Sequence, residues 1–154
     1  MKNTAKQWKK SSLSSLQKRR PSSDRSKEQQ AYVIAALFSS IVGTYLDLFF
    51  VGIGMYHFPM RLFPEIFTVN IAFTLLILPV SVILFLYLAN RMRTLPRCIM
   101  ILTISTAVIF IEKTAEKLGG FMPHPDWNHA YSFFGYMLFL MIVWIIFRFF
   151  QVKI

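Results

Sequence analysis

The sequence predicts an all-α fold: a four-helix transmembrane bundle, up-down-up-down, behind a disordered basic amino-terminal tail. Composition supports this, because 55% of the residues are hydrophobic and only 16% are charged, whereas soluble domains carry about a quarter charged residues. Such a chain has too few polar side chains to cover its surface in water. The hydrophobic residues also fall into long runs, at about 32–56, 65–89, 97–117 and 130–150.

Each run has the length of a membrane span. About 20 residues at 1.5 Å per residue cross a hydrocarbon core of about 30 Å. Backbone groups in lipid must bond within their own segment, so the runs are predicted to be helices. Short loops make neighbours antiparallel, which makes residues 31–154 one membrane domain. Pro79 is predicted to kink the second helix.

The amino-terminal tail carries most of the charge. Residues 1–30 contain nine Lys and Arg with two acidic residues, which gives +7 of the net +10. They contain few apolar residues and are predicted to form a disordered polybasic cytoplasmic tail. Anionic lipid attracts such residues by about 1 kcal/mol each, whereas a folded basic face for nucleic acid is not expected. The candidate headgroup-binding residues are Lys9, Lys10, Lys18, Arg19 and Arg20.

The orientation follows from the positive-inside rule. The tail, the loop around residues 91–97 and the carboxyl end carry 14 Lys and Arg, and the opposite side carries three, Arg61, Lys113 and Lys117. We therefore expect a multi-pass cell-membrane protein with both termini in the cytoplasm. A single cysteine, Cys98, excludes an intrachain disulfide.

Acidic and histidine residues concentrate on the predicted outer side. Apart from two acids in the tail, all five acidic residues and all three histidines lie in the outer half of the spans or in the outer loops. They are expected to form a polar cluster that binds a partner, a lipid headgroup or an ion. Its candidate members are Asp47, His57, Glu65, Asn70, Glu112, Glu116, His124 and His129.

Asp47 and Glu112 are the most informative members of this set. An Asp within a span costs about 2.5–3.5 kcal/mol on insertion scales, so such residues usually face the bundle interior and have a partner. They are the candidate catalytic residues if the protein is an enzyme. Alternatively, Asp47, Asn70 and Glu112 form a packing layer, in which each contact contributes about 0.6 kcal/mol.

The outer loops suggest further local roles. Glu65 is expected to begin the second helix, and Arg61 to form a salt bridge with a glutamate. Gly119 and Gly120 are predicted to end the third helix, and Asp126 to cap the fourth. Carboxylates and histidines also suit a divalent metal, although their spacing is not diagnostic. The candidate metal ligands are Glu112, Glu116, His124 and His129.

No motif names a reaction. The sequence contains no GxSxG elbow, phosphate loop, dinucleotide fingerprint or Cys-x-x-Cys pair. The leading hypothesis is an accessory or binding protein of the membrane. Its partner is expected to be another membrane protein or a second copy of the same chain. One alternative is a membrane-embedded enzyme acting on a lipid-like substrate at the outer leaflet, with or without a metal. The other is an ion or proton carrier that works as an oligomer.

Several motifs together resemble a known family. They are Asp47 within a span, Tyr-His-Phe-Pro at 56–59, Phe-Pro-Glu at 63–65, residues 112–119, and His-x-x-Trp-Asn before Ser-Phe-Phe-Gly-Tyr at 132–136. In this combination the chain is similar, over roughly residues 32–150, to small uncharacterised multi-pass membrane proteins of endospore-forming Gram-positive bacteria. The resemblance implies a bacterial cytoplasmic membrane and no particular reaction.

Overall fold

The protein is described from a computed structural model, which covers the backbone of residues 22–153 and the side chains of residues 26–152. The described chain is mostly helical, as predicted. Two short strands, β1 (Tyr56–His57) and β2 (Met122–Pro123), pair in antiparallel fashion. The helices are α1 (Ser22–Gly52), α2 (Leu78–Ala89) with a π-helical turn before it (Phe73–Ile77), α3 (Thr94–Lys117) and α4 (His129–Lys153).

Three helices are long and apolar enough to cross a membrane. The candidate spans are Ser26–Gly52, Thr94–Lys117 and His129–Val152, of 27, 24 and 24 residues. At 1.5 Å per residue each exceeds the thickness of a hydrocarbon core of about 30 Å. These lengths and compositions indicate an integral membrane protein. A fourth apolar helix, Phe73–Ala89, is shorter.

The second predicted span, 65–89, is wrong at its amino-terminal end. Residues 58–70 form an irregular loop, and regular helix begins only at residue 71. The Arg61 side chain donates hydrogen bonds to the backbone carbonyls of Phe58, Pro64 and Phe67. These bonds satisfy carbonyl groups that a helix would otherwise use. Glu65 therefore lies in the loop, and the expected salt bridge of Arg61 with a glutamate does not form.

A π-helical turn, Phe73–Ile77, directly precedes the part of the second helix in which Pro79 was predicted to cause a kink. Pro79 has no backbone N–H, so the carbonyl four residues earlier lacks its usual partner. Directly before it, Leu78 N–H bonds to the carbonyl of Phe73, five residues back. A π-turn is a common way for a helix to absorb such a mismatch. It lies in the half of the molecule that also contains Asp47.

The first helix begins earlier than the predicted span. α1 starts at Ser22, within the segment 1–30 that the composition assigns to the tail. Lys, Glu, Gln and Ala are good helix formers, so a helix already stabilised by its apolar part extends readily into this region. The candidate headgroup-binding residues of the tail lie outside the described residues. The third and fourth helices agree closely with the predicted runs.

The helices pack in the spatial order α2, α1, α4, α3. Extended contacts join α1 with α2, α1 with α4, and α3 with α4, whereas α2 meets α4 only briefly. Between α2 and α3, which a short loop connects, there is no extended contact in the described chain. The four helices thus form an open arrangement, in which sequence neighbours α2 and α3 lie apart.

The apolar core occupies one half of the molecule. Ala31 and Ala35 of α1 are fully buried against large residues such as Leu86 and Phe147. Small side chains on α1 let the helices approach closely. We call this half, where α1 begins and α4 ends, the tail end. The opposite half, which carries β1 and β2, is the loop end.

Candidate functional site

The two loops of the loop end are joined to each other. Tyr56 pairs with Pro123 and His57 with Met122, and His124 N–H donates to the Met55 carbonyl at 2.9 Å. Aromatic rings pack beneath this ladder. The Tyr56 ring lies 5.4, 5.2 and 5.1 Å, between ring centres, from three others, those of Phe58, Phe121 and Trp127. We call this group, with Phe50 and Tyr131, the aromatic cap.

Asp47 is anchored to the aromatic cap by one oxygen. The Tyr56 hydroxyl donates a 2.8 Å hydrogen bond to Asp47 Oδ1. Burial, together with the adjacent Asp47 carboxylate, raises the pKa of Tyr56 well above its usual value, so the phenol stays neutral and donates. The second oxygen, Asp47 Oδ2, is buried and has no hydrogen-bond partner among the described residues.

Glu112 is the centre of a second group. Its Oε2 accepts a 2.7 Å hydrogen bond from the Ser132 hydroxyl and lies 3.1 Å from His129 Nδ1. The other ring nitrogen, His129 Nε2, lies 3.5 Å from Glu116 Oε2. Helical spacing explains the contacts, because His129 and Ser132 are three residues apart on one face of α4, and Glu112 and Glu116 are four apart on α3.

The two groups form one polar layer. The Asp47 and Glu112 carboxylates are close enough to repel each other, and Tyr136 lies within electrostatic reach of both. Gly43 packs against Leu78, and continuing this antiparallel register places Thr74 of the π-helical turn level with Asp47. Its hydroxyl, like that of Thr44, is buried with no partner in the described part of the chain. We call these residues the polar layer: Thr44, Asp47, Tyr56, Thr74, Glu112, His129, Ser132 and Tyr136.

Several predicted members of the cluster lie elsewhere. The side chains of His57 and Glu65 are exposed. Asn70 precedes the second helix and accepts from the backbone N–H of Phe73 at 3.4 Å, so it caps that helix and does not join Asp47 and Glu112. His124 lies 3.3 Å from Asp126 on the exposed surface. Asn70 is therefore not part of the layer predicted from Asp47, Asn70 and Glu112, and Ser132 bonds to Glu112 instead.

The ends of α3 and α4 test two further predictions. Gly119 has φ 75°, and Gly120 N–H bonds to the Ala115 carbonyl at 2.8 Å, so glycine ends α3 as predicted. Asp126 does not cap α4. Asn128 does so instead, because its Oδ1 accepts from Ala130 N–H at 2.9 Å.

The geometry limits the chemistry of this layer. In a Ser–His catalytic pair the histidine takes the serine proton, but here Ser132 and His129 both bond to Glu112 and have no hydrogen bond to each other. Each ring nitrogen of His129 lies beside a carboxylate. No group of three or more His, Cys, Asp or Glu side chains suited to a metal occurs among the described residues, and His124 lies apart from Glu112 and Glu116.

Sequence reasoning missed five members of the layer: Thr44, Tyr56, Thr74, Ser132 and Tyr136. Ser132 could have been found from its spacing to His129 on one helix face. Tyr56 depends on a loop pairing that no local pattern shows, and Thr74 depends on a π-helical turn for which Pro79 is the one local signal. Comparison with known proteins adds no relative, because no family model, curated protein or solved structure matches this chain.

Proposed function

We propose that the chain is an accessory binding protein of the membrane, whose polar layer takes up a small cation or the cationic group of a partner. The observation that carries this proposal is the Asp47 carboxylate, one oxygen of which is buried without a hydrogen-bond partner in the described structure. An unsatisfied buried acceptor costs about 1–3 kcal/mol, and more for a charged group. A bound cation would offset this cost.

The surrounding charges favour a cation. Repulsion between Asp47 and Glu112 is relieved by any positive charge placed between them. Of the Lys and Arg side chains of the loop end, Arg61 donates to loop carbonyls, and Lys113 and Lys117 are exposed. The neighbouring Thr44 and Thr74 hydroxyls add neutral oxygens of the kind that hard cations accept as ligands.

The distribution of positive charge supports placing this layer on the outer side. Most of the basic residues lie in the tail, which precedes α1 in the sequence, and at residues 91–97, which belong to the tail end. Both termini are then cytoplasmic in a multi-pass protein of the cell membrane. The resemblance to small membrane proteins of endospore-forming bacteria implies a bacterial cytoplasmic membrane and no particular role.

The two alternatives have less support. An enzyme that uses Glu112 as base would first have to release it from His129 and Ser132. A proton carrier needs titratable groups along its path. In the tail half of the spans, Glu28 is the single acidic residue among the described residues. Asp47 remains the residue that either alternative would use.

The test is thermal stability of the full chain, purified in detergent, in Li⁺, Na⁺, K⁺ or methylammonium chloride at equal ionic strength. N-methylglucamine serves as the bulky reference cation. We expect one small cation to raise the unfolding midpoint, Asp47→Asn to abolish the rise, and the exposed control Glu65→Gln to retain it. The proposal fails if no cation differs from the reference, or if the rise survives in Asp47→Asn.

A further inference from the structure

A second polar site lies at the tail end, away from the polar layer. It is an open crevice of about 400 Å³ between α1 and α2, lined by Glu28, Tyr32, Tyr87, Asn90 and Arg91. Nineteen residues of α1 separate Glu28 from Asp47, which corresponds to about 28 Å along the helix. The crevice and the polar layer are therefore at opposite ends of the same helix.

The crevice is built where α1 begins its apolar part and α2 ends. Glu28 and Tyr32 are four residues apart and share one face of α1. Asn90 follows the last turn of α2 and donates from Nδ2 to Glu28 Oε1 at 3.2 Å, and its amide also reaches Tyr32. This contact fixes the two walls relative to each other, so the site is formed before any ligand enters.

Arg91 supplies a phosphate-binding group. Its guanidinium lies 3.9 Å over the Tyr87 ring, which holds the side chain against the wall. No carboxylate of a described residue lies within ion-pair distance of Arg91, although it lines the same crevice as Glu28. The fork of guanidinium N–H donors matches phosphate oxygens and can bind them in bidentate fashion.

Glu28 supplies the opposite charge. A carboxylate has about four acceptor positions, so Glu28, which bonds to Asn90 and has other contacts of its own, can also accept from an ammonium group. The rings of Tyr32 and Tyr87 stand beside it, and aromatic faces attract cations. A crevice with an arginine and a glutamate on its walls matches a ligand that carries one phosphate and one ammonium group.

The position of the crevice identifies the source of such a ligand. It lies at the ends of apolar helices, where lipid headgroups lie. The adjoining surface is apolar and exposed: the exposed fraction is 57% for Val33, 59% for Leu84 and 39% for Leu88. We propose that this crevice binds the headgroup of phosphatidylethanolamine, with the phosphate on Arg91, the ammonium on Glu28 and the acyl chains along the apolar surface.

The experiment measures lipid adducts on the detergent-purified full chain by native mass spectrometry. Phosphatidylethanolamine, phosphatidylglycerol and phosphatidylcholine are added in equal amounts. Phosphatidylcholine is the informative control, because its quaternary ammonium carries the same charge but has no N–H to donate. We expect phosphatidylethanolamine adducts to exceed the other two several-fold.

Matched variants assign the effect to the crevice. Arg91→Gln should reduce phosphatidylethanolamine binding about tenfold, whereas Arg93→Gln, an exposed arginine of the same loop, should leave it unchanged. Glu28→Gln retains an oxygen for Asn90 and removes the charge, so it should abolish discrimination between the ethanolamine and choline lipids. Circular dichroism and size exclusion identify any variant that fails to fold. If Arg91→Gln fails to fold, Arg91→Lys replaces it as the milder substitution, and we expect it to show reduced but measurable binding.

The outcomes separate the sources of the ligand. In a parallel arm, soluble phosphoethanolamine is added at millimolar concentration. If it competes with the lipid, the site is assigned to the phosphate–ammonium chemistry that the free compound shares with the lipid headgroup. Equal binding of phosphatidylglycerol by the wild type, or equal loss in Arg91→Gln and Arg93→Gln, overturns the proposal.

Discussion

Tyr56 and Asp47 are joined by a 2.8 Å hydrogen bond, in which the phenol of a loop strand donates to a carboxylate within a candidate span. The bond connects the aromatic cap to the polar layer, because Tyr56 also contacts Phe121 and Trp127. Among the described residues, Tyr56 bonds to one oxygen of Asp47, and the second oxygen has no hydrogen-bond partner.

Removing this hydroxyl should destabilise the fold. Tyr56→Phe keeps the ring contacts of the aromatic cap and leaves Asp47 Oδ1 without its donor, which costs about 1–3 kcal/mol. The measurement is the unfolding midpoint of the detergent-purified chain. Tyr131→Phe is the control, because its ring also belongs to the cap and its hydroxyl makes no hydrogen bond to a described residue. Equal effects of the two substitutions would contradict the assigned bond.

Glu112 should matter more than Glu116, although they lie one turn apart on α3. Glu112 accepts from Ser132 and contacts His129, and its side chain is 17% exposed, whereas that of Glu116 is 45% exposed. Glu112→Ala should therefore destabilise by about 2–3 kcal/mol, and Glu116→Ala by under about 1 kcal/mol. Both are read from denaturation curves of the full chain.

The Glu112–Ser132 hydrogen bond can be isolated by a double-mutant cycle. Ser132→Ala and Glu112→Ala, alone and combined, should show a coupling energy of at least about 0.5 kcal/mol, because the residues are in direct contact. The same cycle with Glu116 in place of Glu112 should be additive. Additivity in both cycles would mean that the 2.7 Å contact contributes nothing to stability.

Arg61 should control the order of the loop at residues 58–70. Its guanidinium bonds three backbone carbonyls, so Arg61→Gln removes most of these bonds while the helices stay unchanged. We expect amide hydrogen exchange in this loop to become at least about tenfold faster, since exchange reports local opening. Lys113→Gln, an exposed cation of the loop end, is the control. An unchanged exchange rate would contradict this role of Arg61.

The sequence predicted the helical class and the two central carboxylates for physical reasons. An acid within an apolar run is costly wherever it lies, so Asp47 and Glu112 stand out without knowledge of the fold. Asn70 and Glu65 were misplaced because the start of the second helix depends on Arg61, which bonds carbonyls up to six residues away. Hydrophobicity alone cannot show that a side chain will take over these carbonyls. Thr74 joins the layer through the π-helical turn, which the sequence signals only by Pro79.

The Tyr56 phenol should also make stability depend on alkaline pH. Its folded-state pKa is raised above the usual value of about 10 by burial and by Asp47, so above that pH the unfolded chain releases a proton that the folded chain keeps. The stabilising contribution is complete below about pH 10 and declines as the pH rises, by at most about 1.4 kcal/mol per unit. Unfolding midpoints at pH 9 and 11 measure this decline. It should be smaller in Tyr56→Phe than in the wild type, and unchanged in Tyr131→Phe. An equal decline in all three proteins would mean that Tyr56 ionises as readily in the folded chain as in the unfolded one.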